Sequence, residues 1–252
     1  MFQRIAERYQ DSVVVVVGAG GIGREIVRLA SGRAARIAVA DHSAANLREC
    51  EPLLPAGSPS PQSLDVRDSD AVSRFAQSVV ASWGTPHFLF YTAGILTIEP
   101  FLETTAESWL RAVDINLNGA FHSVRAFAEP MAQERRGSIL LLGSIAGTRA
   151  RSGSRVNPVY NATKAAISAF VNGAAMQLRP HGVRINCISP GPAATAMMDV
   201  QPPQVHAAVR DITLDGRMNR PEEIAELALF VAAHGRFTGE DVGLGGGAGL
   251  GG

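Results

Sequence analysis

The sequence predicts an α/β fold, a doubly wound parallel sheet of about seven strands with helices on both faces. Short apolar, β-branched runs alternate with longer helical patterns along the chain. Several of these runs, Val13–Val17 above all, are apolar at every position rather than every second one, which marks strands buried on both faces. The stretches between them have room for crossover helices, the connection that parallel neighbours need. No persistent change of composition divides the 252 residues, so residues 1–252 read as a single domain with a glycine-rich tail at 243–252.

The elements follow in order. After Val13–Val17 comes a helix over 21–29, with Ile22, Ile26 and Leu29 on one side. A strand over 36–40 leads to a helix over 44–54 that Pro55 stops, then to a Gly/Pro/Ser loop at 56–61. Residues 62–66 form a third strand. A helix over 68–83 carries Val72, Phe75, Val79 and Trp83 at helical spacing. Residues 87–92 make the fourth strand, and 107–135 one long helix with a break near its start. Residues 138–142 form another apolar strand, 158–179 a helix and 183–188 a strand. Pro221 stands at a first helical position with Glu222 and Glu223 at the positive end of the helix dipole, opening a helix to Ala233. A short strand over 241–244 comes last, and the tail beyond it is expected to lack regular structure.

Composition narrows the function. Lys plus Arg and Asp plus Glu both number 23, so the formal charge is zero and no basic excess points to nucleic acid. Cys50 and Cys187 lie far apart without a ligand-like neighbourhood, which argues against a disulfide framework or metal site and for a reducing cytoplasm. No apolar run has the length of a membrane span, and the first residues are too polar for a signal peptide.

Gly18-Ala-Gly20-Gly21-Ile22-Gly23 satisfies G-x-G-x-x-G directly after a buried strand and at the opening of a helix, the context that makes this motif a dinucleotide signal. The glycines permit a tight turn and let the backbone approach a pyrophosphate at the helix N-terminus. The fold class is thereby a Rossmann fold. Asp41 ends the second strand about twenty residues on, where a carboxylate meets the adenosine ribose and repels a 2′-phosphate, so the expected cofactor is NAD. Asp41 also suits a helix cap, and His42, Arg33 and Arg36 are nearby groups able to soften the preference against NADP.

In Val156-Asn-Pro-Val-Tyr160-Asn-Ala-Thr-Lys164, a tyrosine and a lysine stand four residues apart, one turn on a helix face. An adjacent ammonium is expected to pull the phenol down from its usual value of about 10, giving a base for an alcohol proton. Taken alone the spacing is also that of an ordinary surface pair.

Together with the glycine turn and Asp41, this pair makes the chain resemble the short-chain dehydrogenase/reductase family from about Val13 to Gly247. Further matches are Asp65-Val66 after the third strand, Tyr91-Thr92-Ala93-Gly94, and Asp114-Ile-Asn116 with Gly119. Gly143-Ser144 with Ala146-Gly147, Asn186 with Pro190-Gly191 and Thr195, Arg217 through Pro221, and Thr238-Gly239 complete the series. The resemblance implies that Tyr160 is the general acid/base and that Lys164 lowers its pKa and holds the nicotinamide ribose. It implies that Ser144 steadies the substrate oxygen and that Asn116 positions a proton-relay water. Gly18, Gly20, Gly21, Ile22, Gly23, Asp41, Asp65, Val66, Ala93, Gly94, Tyr160, Lys164, Pro190, Gly191 and Thr195 are the implied NAD contacts. It also implies a homotetramer, or a homodimer, in which the 107–135 and 158–179 helices pack across one interface. A turn-capping role for Ser144 and a buried-plug role for Asn116 are the alternatives.

Three departures stand out: Val16-Val17 for the family's usual Thr-Gly, Thr92 for its second Asn, and Gly245 for an Asp. The segment between Ser144 and Tyr160 is also longer than usual and holds Arg149, Arg151 and Arg155, a set suited to a carboxylate, phosphate or sulfonate on the substrate, or to a solvated loop. Met197 and Met198 fall in the family's variable substrate region as an adaptable apolar lid. His181 and His206 have no metal-ligand spacing, and no metal is expected. The expected function is therefore hydride transfer between a secondary alcohol or ketone, with or without an anionic group, and NAD. Two readings stand beside it: a non-catalytic nucleotide-binding scaffold subunit of the same fold, and an NADP-preferring ketone reductase.

Overall fold

The computed structural model describes residues 7–148, 157–199 and 212–248. Seven strands form one sheet: β1 Val13–Val17, β2 Arg36–Asp41, β3 Gln62–Ser63, β4 Phe88–Tyr91, β5 Gly137–Leu142, β6 Val183–Pro190 and β7 Asp241–Leu244. Their order across the sheet is β3-β2-β1-β4-β5-β6-β7, every pair parallel. The order reverses between β1 and β4, and a crevice opens at the carboxyl ends of such a pair.

Helices α1 Gly21–Ser31, α2 Ala44–Cys50, α3 Ser69–Trp83, α4 Ala106–Val113, α5 Gly119–Gln133, α6 Ile145–Thr148, α7 Pro158–Leu178, α8 Ala196–Asp199 and α9 Pro221–Ala233 connect the strands. Alternation along each strand divides the core in two. Val15, Val17, Leu89, Tyr91, Ile139 and Leu141 face α3, α5 and α7 through Phe75, Phe127 and Val171. Val14, Val16, Phe90 and Leu140 face α1 and α9 through Ile26, Val27, Ile224 and Val231. Strands covered on both faces need apolar residues at every position, which accounts for the unbroken valine run.

Two expectations are corrected. The third strand stops at Ser63: β3 is an edge strand paired only with β2, and Leu64 and Val66 leave the ladder to bury their side chains. The helix expected over 44–54 ends at Cys50, because Pro52 has no N–H to donate and the chain tightens into a 3₁₀ turn at Glu51–Leu53. The break expected near the start of the 107–135 helix is a π-helical turn, Asp114–Asn118, between α4 and α5. Beyond Leu244 the described tail residues hold no helix or strand but close a turn, in which Ala248 N–H donates to the Gly245 carbonyl at 2.8 Å and Ala248 is buried.

Candidate active site

At the crevice between β1 and β4 the chain needs glycine for steric reasons. Gly18 has φ +98, and a Cβ there would lie 2.3 Å from the Ala93 nitrogen, so the ends of the two strands touch. A Cβ on Gly23 would fall 1.8 Å from the Gly18 carbonyl oxygen, which allows α1 to start directly under the turn. Thr92 Oγ1 donates to that same oxygen at 2.5 Å, so the hydroxyl at this departure from the family pattern braces the turn. The N-cap of α1 is Gly20, with no side-chain acceptor and no acid in the first turn. Its N–H groups are thus free of side-chain partners, as an anion site at a helix N-terminus requires. Thr195 closes over the turn, its Cγ2 3.1 Å from where a Gly21 Cβ would be.

The cap of α2 is Ser43 rather than Asp41, its Oγ accepting from Asn46 N–H at 3.4 Å, and Asp41 stands just before it. Its Oδ2 accepts from Ala19 N–H at 2.5 Å, while Oδ1 accepts from Ser43 N–H at 2.6 Å and Asn46 Nδ2 at 3.3 Å. The carboxylate thus ties the glycine turn to the start of α2 and remains on the cleft wall. Arg33 and Arg36 are not near it. Arg36 begins β2, at the opposite end from Asp41, and Arg33 donates back to the Leu29 carbonyl. Arg24 lines the cleft but is ion-paired with Glu49. Asp65 and Val66 line the cleft as expected, and the Arg67 guanidinium holds the Asp65 carboxyl down to about 2.

The cleft has a volume of about 960 Å³. Its other end holds Ser144, Tyr160 and Lys164. Helix α7 is fixed at its start by Asn157, which accepts from Val159 N–H at 2.8 Å and donates to the Glu99 carbonyl and Thr104 Oγ1, both at 2.7 Å. Pro158 follows at the first helical position. Asn157 went unread in the sequence, although Asn before Pro is a helix-start signal. One turn later Tyr160 and Lys164 face the cleft.

Lys164 is buried, and its Nζ donates to the Leu142 carbonyl at 2.8 Å. Burial brings its pKa down from 10.5 to about 8. The ammonium lies 5.7 Å from the Tyr160 ring centroid. The expectation that it depresses the phenol is not met. Burial raises Tyr160 above its ordinary value, and the opposing pull comes from a side-chain hydrogen bond with Ser144. Desolvation acts on both groups and favours the neutral form of each.

Ser144 follows β5, and its Oγ also accepts from Ala146 N–H at 3.2 Å, so capping α6 and facing Tyr160 coexist. Asn116 is behind the cleft wall rather than on it. Its Oδ1 accepts from Ile95 N–H at 2.8 Å, and its Nδ2 donates to the Ile95 carbonyl and to Thr163 Oγ1, both at 3.1 Å. The amide clamps the 94–95 segment, and Gly94 leaves room between Asn116 Oδ1 and Lys164 Nζ. The π turn around Asn116 turns the Ile115 carbonyl to accept from Tyr91 Oη at 2.7 Å.

Gly18, Gly20, Gly21, Ile22, Gly23, Ala93, Gly94, Pro190, Gly191, Thr195 and Met198 all line the cleft. Arg149, Arg151 and Arg155 lie outside the described residues, as does His206, and the Met197 side chain is likewise not described. Lining residues that sequence reasoning missed include Asn46, Arg111 and Ala248; no spacing rule singles them out. Among the described residues, no group of three or more His, Cys, Asp or Glu side chains could hold a metal ion.

A cleft with a glycine turn at one end and a Ser/Tyr/Lys cluster at the other defines a nucleotide-dependent oxidoreductase of α/β type. The family model described as enoyl-(acyl carrier protein) reductase matches residues 17–248. The chain is 32% identical to galactitol 2-dehydrogenase (L-tagatose-forming) of Cereibacter sphaeroides, covering 92% of each chain. It is also 32% identical to (3R)-3-hydroxyacyl-CoA dehydrogenase of Rattus norvegicus, over 95% of this chain and 97% of that one. The crystal structure of 3-oxoacyl-[acyl-carrier protein] reductase from Brucella melitensis superposes with a TM-score of 0.84 at 31% identity, covering 97% of this chain and 94% of that one. The chain belongs to the short-chain dehydrogenase/reductase family.

Proposed function

We propose that the protein is an NAD-dependent oxidoreductase that interconverts a ketone and a secondary alcohol, with Tyr160 as general acid in reduction and general base in oxidation. The observation that carries this reading is the convergence of Ser144, Tyr160 and buried Lys164 at the far end of a cleft that opens on the glycine turn. The nicotinamide, when bound, supplies hydride exchange at its ring C4.

The chain's own groups do the rest. The glycine turn and the N–H groups of α1 receive the pyrophosphate, while Asp41 offers its carboxylate to the adenosine ribose. Ser144 Oγ donates to the substrate carbonyl oxygen and stabilises the negative charge that grows there as the carbon accepts hydride. Tyr160 Oη transfers its proton to that oxygen, giving the alcohol. Lys164, whose pKa is about 8, stands next to Tyr160 and exchanges its proton with the medium more easily than an ordinary lysine.

Asp41 at the end of β2, with Arg24 ion-paired and Arg33 and Arg36 elsewhere, supports NAD over NADP. Relatives named for dehydrogenation of galactitol and of 3-hydroxyacyl-CoA support a carbinol substrate. A scaffold subunit would have no use for the convergence of Ser144, Tyr160 and Lys164. An anionic group on the substrate would be held by Arg149, Arg151 and Arg155, and unchanged kcat/KM after their joint replacement by alanine would remove that part. Exposed Phe121 on α5 and Met176 on α7 support assembly of a homotetramer or homodimer through these helices. No described helix is long and apolar enough to cross a membrane, and free, buried Cys50 and Cys187 are in keeping with a cytoplasmic location. The test of the reading is turnover of a panel of ketones and alcohols with each nucleotide, followed by absorbance of the reduced nicotinamide. Failure to bind either nucleotide would sink it.

A further inference from the structure

Beyond Ser144 the cleft is walled by a turn that no sequence pattern marks. Ile145, next to the catalytic candidate Ser144, points its Cδ1 to within 3.3 Å of a Cβ position on Gly191 and 3.5 Å of one on Gly245. A Cβ on Gly191 would lie 2.9 Å from Gly245 Cα. The backbone after β7 is therefore pressed against both the serine helix and the Pro190-Gly191 loop. It then doubles back. Gly246 and Gly247 have φ +56 and +78, and Ala248 N–H donates to the Gly245 carbonyl at 2.8 Å. The turn sets Ala248, 5% exposed, into the cleft lining. On its outer side Leu214 N–H donates to the Gly246 carbonyl at 2.8 Å, and the Leu214 side chain packs where a Gly247 Cβ would be.

A side chain at 245 would meet the Ala248 carbonyl at 3.3 Å and Ile145 at 3.5 Å, so glycine there lets the turn seat closely. The side chains shown at its inner face, Ile145 and Ala248, are apolar, and the cleft also holds the apolar Leu96, Ile98, Met198 and Ile212 beside Arg111 and Asp199. That inner face offers no side-chain partner to a polar or charged group and favours a hydrocarbon one.

We propose that the Gly245–Ala248 turn is the end wall of the substrate pocket, that Ala248 sets the pocket's depth, and that the group seated against it is an apolar substituent of the carbonyl carbon. This rests on the oxidoreductase reading for the orientation of the substrate. The depth of the pocket is nevertheless measurable without turnover. A methyl side chain at 248 is the smallest that still closes the wall, so any larger one shortens the space and glycine lengthens it.

The experiment is calorimetric titration of 2-butanone, 2-hexanone and 2-octanone into the protein, with and without saturating NAD, a pair that cannot exchange hydride. Burial of each added methylene should tighten Kd about fourfold until the wall is reached. Ala248→Leu should weaken 2-octanone about tenfold and leave 2-butanone and NAD within about twofold, since a shortened pocket excludes only the longer chain. Ala248→Gly should move the point at which tightening stops by one methylene. A Kd independent of chain length in the parent, or the same chain-length profile in all three proteins, would overturn the proposal. Loss of turnover with the chain-length profile intact would instead count against the role of Tyr160 and leave the wall standing.

Discussion

Lys164→Met should make the nucleotide-free protein more stable while removing its activity. The ammonium is buried, and its pKa falls from 10.5 to about 8, which means that the fold disfavours the charge. That difference corresponds to about 3 kcal/mol of destabilisation at neutral pH. Methionine removes the charge in a similar volume but leaves the Leu142 carbonyl without its 2.8 Å donor, a loss of about 1 kcal/mol. The net gain is about 2 kcal/mol, or roughly 4–8 °C in Tm for a chain of this size. The pH dependence has a definite sign. Between about pH 8 and 10.5 the unfolded chain keeps the lysine proton that the native protein has released, so the parent gains stability as pH rises through that window. The advantage of the variant should therefore be full below about pH 8 and shrink toward pH 10. Thermal unfolding of both proteins by circular dichroism from pH 7 to 10 reads this directly. A variant that melts no higher than the parent at pH 7, or a difference that ignores pH, would refute the reasoning.

Other outcomes follow from the same geometry. Gly23→Ala drives a methyl into the Gly18 carbonyl, and should cost about 1–3 kcal/mol in denaturant unfolding and abolish nucleotide binding by calorimetry. Asn157→Ala removes the cap of α7 and two donors to the 99–104 segment. It should cost about 2–3 kcal/mol and lower kcat more than it changes nucleotide Kd, because it acts through the placement of Tyr160. Asp41→Ala should erase the preference for NAD over NADP in steady-state kinetics; an unchanged ratio would remove the ribose role. The rate of ketone reduction should decline above about pH 8, as Lys164 loses its proton beside Tyr160.

Much of this was legible because periodicity and glycine spacing are local. An all-apolar strand is readable as doubly covered, and a G-x-G-x-x-G between strand and helix reports its own steric reason, as Gly18 and Gly23 show. Boundaries were lost where one residue outweighed the pattern: Pro52 ended α2 early. The sign of the Tyr160 shift was misread for a different reason. Spacing places Lys164 one turn from Tyr160, but only the packed structure tells how much water both groups have lost. Ala248 was hidden because its placement depends on packing between segments far apart in the chain, Gly191 against the Gly245 backbone and the Leu214 side chain against Gly247.

The proton on the phenolic oxygen is what the proposed chemistry turns on, and Tyr160→Phe removes it with little change in volume. Single-turnover reduction of a ketone by the variant should slow by roughly 10²–10⁴-fold, with nucleotide Kd unaltered. A variant that reduces the ketone at the parent's rate would contradict the account.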